Sequence, residues 1–326
     1  MVTRDEVFNV STRDFEALAL RIFAYQYTHV SLYRAFCNAM KKQPGAVTRM
    51  EEIPFLPIQF FRTHRVAVEH AADAVVFESS GTTGSVPSRH HIVDVSWYDQ
   101  SLERTFRMFY GDPGQYVWLA LMPSPAERPR ASLLYMVERF MQHSGDALNG
   151  YYLHNFSQLH QALIHARETK RKTILIGITY ALLDFAQAYK IHFPDLIVME
   201  TGGMKGKRPE MTREEVHQLL CETFGVQAVH SEYGMTELSS QAYSQGKGLF
   251  VSPPWMKILL RHTDDPTHVV RRGRNGALNI IDLANVNSCA FIATEDVGTL
   301  NDNGSFFVHG RMLHAEQRGC NLMMAE

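Results

Sequence analysis

Six consecutive residues, Ser79-Ser80-Gly81-Thr82-Thr83-Gly84, put two glycines and four hydroxyls in one short span. The glycines let the backbone bend so that several N–H groups face one concavity, and the hydroxyls add donors that rotate freely. Such a bend suits a polyphosphate. It is not a Walker loop, because the chain contains no Gly-x-x-x-x-Gly-Lys-Ser/Thr. Taken alone, the hexamer equally describes an ordinary polar turn.

Three later segments add chemistry to it. Glu200-Thr201-Gly202-Gly203 follows the apolar run Leu196–Met199, so glycines stand where a flat base can approach a backbone without side chains. Ser231-Glu232-Tyr233-Gly234-Met235-Thr236-Glu237 follows the strand-like run Val226–Val229. Glu237 beside the Thr236 hydroxyl offers hard oxygen ligands of the kind that hold Mg²⁺ against a triphosphate. Thr294-Glu295-Asp296-Val297-Gly298 reads as a turn whose Asp296 could accept hydrogen bonds from both hydroxyls of a ribose. Each has a plain reading as well: glycine-ended strand, solvated loop acid, turn former. No Gly-x-Ser-x-Gly elbow and no His-Glu-x-x-His pair occurs, which disfavours a serine hydrolase and a zinc peptidase.

The elements that must position these residues are legible in the patterning. Phe15, Leu18, Ile22, Tyr25, Leu32 and Phe36 recur at helical spacing, which predicts a helix pair over 12–40. Residues 74–78 read as a strand running into the hydroxyl-rich bend. Strands over Tyr116–Met122, Ile174–Ile178 and Leu196–Glu200 alternate with helices near 131–142, 157–168, 180–190 and 212–223. That alternation predicts an α/β fold on a mostly parallel sheet flanked by helices. From 249 onward, short strands between Asp, Asn and Gly turns predict a smaller β-rich part. The expected organisation is a single large domain, with an α/β core over 1–248 and a β-rich part over 249–326.

Composition sets bounds. The 326 residues are 45% hydrophobic and 20% charged with a net charge of −2, a globular balance with no basic field to suggest nucleic acid. No apolar run is long enough to span a membrane and no signal peptide is evident, so a cytoplasmic location is expected. The four cysteines form no CxxC pair, which argues against a zinc site or a disulfide framework.

Together, in this order, the four segments resemble the motifs of the adenylate-forming superfamily, which includes acyl-CoA synthetases and luciferase-like enzymes. Residues 79–84 match its phosphate loop, Gly202 and Gly203 its adenine-side glycines, Tyr233-Gly234-x-Thr236-Glu237 and Thr294-x-Asp296-x-Gly298 its two further motifs. Within it the chain most resembles the acyl-protein synthetases of bacterial luminescence fatty-acid reductase complexes. Ile53 through His64 looks like their N-terminal signature, and Gly310-Arg311 through Leu322 like their C-terminus.

The resemblance implies ATP and Mg²⁺ as cofactors and a carboxylic, fatty-type acid as substrate. It further implies an acyl-adenylate, an acyl-enzyme thioester on Cys320, and an acyl-reductase or acyl-carrier partner. Thr236, Glu237, Arg311 and Cys320 would be catalytic, with Arg311 and Arg318 lowering the thiol pKa. Tyr233, Gly234 and Asp296 would hold the nucleotide. Two features depart from the wider superfamily. The chain stops at Glu326, so the mobile small domain with its lysine is expected to be absent, and no lysine follows the phosphate loop, where Arg89 could substitute. A coenzyme A ligase or carrier-protein loader, and a non-catalytic adenylate-binding subunit, stand as alternatives.

Overall fold

The computed structural model describes residues 2–80, 86–202, 211–263, 270 and 273–312. In chain order the elements begin with helices α1 (Arg4–Phe8), α2 (Phe15–His29) and α3 (Ser31–Ala39), then strand β1 (Leu56–Pro57) and helix α4 (Phe60–Thr63). A hairpin, β2 (Val75–Glu78) and β3 (Arg89–Ile92), leads into α5 (Val95–Tyr110). The alternating core follows: β4 (Val117–Leu121), α6 (Ser132–Ser144), β5 (Gly150–Tyr151), α7 (Phe156–Glu168), β6 (Thr173–Ile178), α8 (Thr179–Ala188), β7 (Ile197–Thr201), α9 (Arg213–Phe224) and β8 (His230–Tyr233). Then come β9 (Ala242–Ser244), β10 (Met256–Arg261), β11 (Asn275–Asp282), β12 (Phe291–Leu300) and β13 (Phe306–Arg311).

Six strands form one sheet in the order β5-β4-β6-β7-β8-β9, parallel except for the β8–β9 pair. Its interior strands, Val-Trp-Leu-Ala-Leu and Thr-Ile-Leu-Ile-Gly-Ile, are buried along their whole length. Strands covered on both faces by helices must be continuously apolar, which is why these read as runs rather than alternations. The flanking helices are delimited locally. Thr212 and Glu215 form a capping box at the start of α9, and Gly225, left-handed at φ +71°, closes it.

The second sheet runs β1-β12-β11-β10, with β13 also on β12; only the β1–β12 pair is parallel. Its apolar face shares one core with α2, α3 and the segment around Ile53–Phe61, including Phe15, Ile22, Phe23, Tyr33, Ile280 and Phe291. The β-rich part is thus packed against the beginning of the chain, and the N-terminal signature lies directly on β12, with Leu56 opposite Ile292.

Two local expectations change. The strand preceding Tyr233 is His230–Tyr233 itself rather than Val226–Val229, so Glu232 is a strand residue. Residues 294–298 lie within the long strand β12 rather than in a turn. Pairing to β13 at Asp296, and to β11 on either side of an irregularity that spans residues 294–296, outweighs the turn tendency of an Asp near a Gly.

Candidate active site

Strands β7 and β8 end at the same edge, with Glu200 paired to Ser231. Ligands of open α/β sheets bind beyond the carboxyl ends of the strands. Gly202, just past β7, has φ +82°, a conformation that a side chain would strain. Gly234 follows β8.

The hydroxyl-rich bend is anchored at its two ends. Ser79 N–H donates to the Ser88 carbonyl at 3.0 Å, and Ser88 N–H donates to Ser79 Oγ at 2.9 Å. The Ser80 carbonyl accepts from Arg128 at 3.3 Å. Arg89 is engaged elsewhere: it pairs with Glu78 at 3.3 Å, as Arg130 does at 2.8 Å. Among the described residues Arg128 thus contacts the bend at Ser80, and neither periodicity nor motif pointed to it. Gly81, Thr82, Thr83, Gly84, Gly203 and Cys320 lie outside the described residues.

Glu237 is 5% exposed, not the solvated loop acid that its isolated sequence suggests. Burial raises its pKa, and a hydrogen bond from Ser88 works the other way, as do the charges of Arg311 and Arg62 more weakly. Ser88 thus touches both the anchored bend and the metal-ligand candidate. Thr236, also buried, gives its carbonyl to His90 Nδ1 at 2.8 Å. Because a carbonyl can only accept, the neutral ring carries its proton on Nδ1. Burial chiefly holds His90 down to about 4, so it is a fixed neutral support.

The far side of the segment is fastened as firmly. Asn285 Nδ2 donates to the Glu237 carbonyl at 2.7 Å. Asp282 accepts from the N–H groups of Ser239 and Ser240 at 2.8 and 2.9 Å and from Ser240 Oγ at 2.7 Å. His90, Asp282 and Asn285 escaped sequence reasoning. Each acts across 42 or more positions of chain, beyond the reach of local spacing; Asp282 alone gave a signal, as a charged residue ending an apolar strand.

Asp296 on β12 forms the other half of the site. Tyr233 O–H donates to Oδ2 at 2.8 Å, and Arg311 Nε donates to Oδ1 at 3.1 Å. Burial, and then Asp296 itself, push Tyr233 well above the usual tyrosine range, so it remains a neutral donor. Strand pairing sets Arg311 directly opposite Asp296. The N-terminal signature reaches the same strand: Gln59 donates to Glu295 at 2.7 Å, and Arg62 stands 3.9 Å from it. Of the predicted residues described, Ser79, Thr236 and Glu237 are thus joined through Ser88 and the segment it holds. Tyr233, Asp296 and Arg311 form a second, contiguous group whose charges act on Glu237.

Mg²⁺ takes one or two carboxylates and completes its shell with phosphate oxygens and water. A lone buried carboxylate beside a phosphate-type bend fits that habit. Among the described residues there is no group of three or more His, Cys, Asp or Glu side chains that would build an all-protein cage.

No family model matches the chain. The solved 2-hydroxyisobutyryl-CoA ligase, in an open conformation with 2-HIB-AMP and CoA, superposes with a TM-score of 0.68 at 14% identity, covering 92% of this chain and 69% of that one. The chain has the adenylate-forming ligase fold. Two curated proteins are similar in sequence, both named long-chain-fatty-acid–luciferin-component ligase. The one from Aliivibrio fischeri is 22% identical over 95% of this chain and 87% of its own length. The one from Vibrio harveyi is 24% identical over 40% of this chain, and that match spans 37% of the relative. No helix among the described residues is long and apolar enough to cross a membrane.

Proposed function

We propose that the chain activates a carboxylic acid of fatty type with ATP and then carries the acyl group on Cys320. The observation that carries this reading is the convergence of Glu237, Ser88 and Ser79 beside the Tyr233–Asp296–Arg311 group at one edge of an adenylate-forming fold.

A carboxylate is a poor acyl donor, because oxide would have to leave. In the proposed reaction a substrate carboxylate oxygen attacks the α-phosphorus of ATP, and the bond to the β-phosphate oxygen breaks to release pyrophosphate. The chain contributes mainly positioning and charge stabilisation. Ser79, Ser80, Thr82 and Thr83 would bind the phosphates together with the loop N–H groups, and Asp296 would accept from the ribose hydroxyls. Gly202, Gly203 and Tyr233-Gly234 would receive the adenine. Glu237, with the Thr236 hydroxyl, would hold Mg²⁺, which when bound neutralises charge on the phosphate oxygens. The Cys320 thiolate then attacks the acyl carbon; a carbon–sulfur bond forms, the carbon–oxygen bond to AMP breaks, and the thiol proton passes to solvent. Delivery to an acyl-reductase or carrier partner would follow.

Pyrophosphate exchange and intact-mass detection of acylated protein test the two halves. Cys320→Ser should keep exchange and lose the stable acyl adduct, whereas Glu237→Gln should lower exchange by about a hundredfold or more. Exchange unaffected in Glu237→Gln refutes the metal assignment. Coenzyme A is the acceptor in the second reading, favoured by the CoA in the solved neighbour. Acyl-CoA formed at full rate by Cys320→Ser would select it.

A further inference from the structure

Glu232 is not used by the mechanism above, and it sits one residue before Tyr233 on the opposite face of β8. Its face is defined by pairing: Tyr243 lies opposite on β9, and Thr201 stands beside it on β7. Thr201 Oγ1 donates to Glu232 Oε2 at 2.7 Å. Among the described residues Oε1 has no hydrogen-bonding partner, and no basic side chain pairs with the carboxyl. The space for this carboxyl is provided by Gly234, where a Cβ would lie 2.5 Å from Oε1. A side chain at 234 would displace the carboxyl from this position.

A second acceptor stands in the same space. Gln241 is 4% exposed, its Oε1 is buried without a partner, and its Cγ is 3.5 Å from that same Cβ position on Gly234. The face around them is apolar and aromatic, with Phe77, Tyr98, Met136 and Tyr243 in one cluster. Burying an acceptor without a donor is costly, and Gln241 Oε1, beside a buried carboxyl whose hydrogen bond among the described residues comes from Thr201, calls for an explanation. They stand at the strand edge that faces ligands, next to Gly202 and Gly234.

Resting on the reading of this edge as an acid-activating site, we propose that Glu232 and Gln241 form an acceptor pair in the acyl subsite that selects acids bearing a hydrogen-bond donor, a hydroxyl or an ammonium, on an otherwise apolar body. An unsubstituted alkanoic acid would bring no donor to Gln241 Oε1 or to the Glu232 carboxyl, and a site built to bond a polar group rejects the analogue that lacks it.

The test is pyrophosphate exchange with the full chain over octanoic acid, its positional hydroxy isomers and its amino counterparts. In the wild type at least one donor-bearing acid should exceed octanoic acid by about 10- to 100-fold in kcat/KM. Glu232→Leu should shrink that preference to below about threefold and leave octanoic acid unchanged or better used. Glu232→Gln separates the sources: it keeps preference for a hydroxyl and loses preference for an ammonium. Gln241→Leu should weaken the preference in the same direction. Octanoic acid used as well as every donor-bearing acid, or full preference surviving in Glu232→Leu, overturns the inference while leaving acid activation intact. Absence of exchange with every acid overturns acid activation itself, and this inference with it. A thermal midpoint of Glu232→Leu at or above the wild-type value at pH 8 confirms that the variant folds.

Discussion

Replacing Glu232 by Gln changes one proton's worth of chemistry and almost nothing of shape. The amide oxygen still accepts from Thr201, and the side chain still fits over Gly234. What it removes is the cost of a buried negative charge with no cationic partner among the described residues. That burial lifts the carboxyl from its ordinary 4.5 to about 7, the Thr201 bond opposing the rise. The neighbouring tyrosines, Tyr98 and Tyr243, are themselves pushed up by burial and stay neutral, so they offer no compensating charge. The sign follows. The folded state holds its proton more tightly than the unfolded chain, so below pH 4.5 the acid costs nothing. Between 4.5 and about 7 the unfolded chain ionises while the folded one resists, and stability falls. At pH 8 the accumulated penalty is about 3 kcal/mol, at 1.36 kcal/mol per unit. Glu232→Gln should therefore stabilise the protein by about 3 kcal/mol at pH 8 and by less than about 1 kcal/mol at pH 5. Urea unfolding of both proteins at the two pH values measures this. Equal shifts at pH 5 and pH 8, or a loss of stability at pH 8, would refute the claim that the carboxyl is buried uncompensated.

Two further outcomes follow from the same geometry. His90 behaves oppositely to Glu232: its folded value near 4 lies below the ordinary 6.5, so its contribution is full above pH 6.5 and is lost as pH falls towards 4. His90→Phe should thus remove about 2 to 3 kcal/mol of the stability lost between pH 7 and pH 4.5, read from urea midpoints; an unaltered acid limb refutes it. Asp296→Asn keeps an acceptor for Tyr233 but leaves one oxygen rather than two for ribose hydroxyls and Arg311. AMP affinity by calorimetry should weaken by about 10- to 100-fold, and a change under threefold would remove Asp296 from the sugar site.

Much of this protein was written in local pattern. Continuous apolar runs announced β4 and β6, because strands buried on both faces have no polar positions to alternate with. Capping residues and a terminal glycine delimited α9. The hydroxyl-rich bend, the Tyr-Gly-x-Thr-Glu segment and the Thr-x-Asp-x-Gly segment were recognisable because their chemistry lies within a few residues of chain. Only the tertiary structure decided which of those groups meet, and in what state. Ser88 reaches both the bend and Glu237, His90 and Asp282 fasten a segment far along the chain, and Asp296 belongs to a strand because β13 pairs with it opposite Arg311. Burial likewise set the proton affinities of Glu232, Glu237 and His90, since desolvation depends on what surrounds a group and not on its neighbours in sequence.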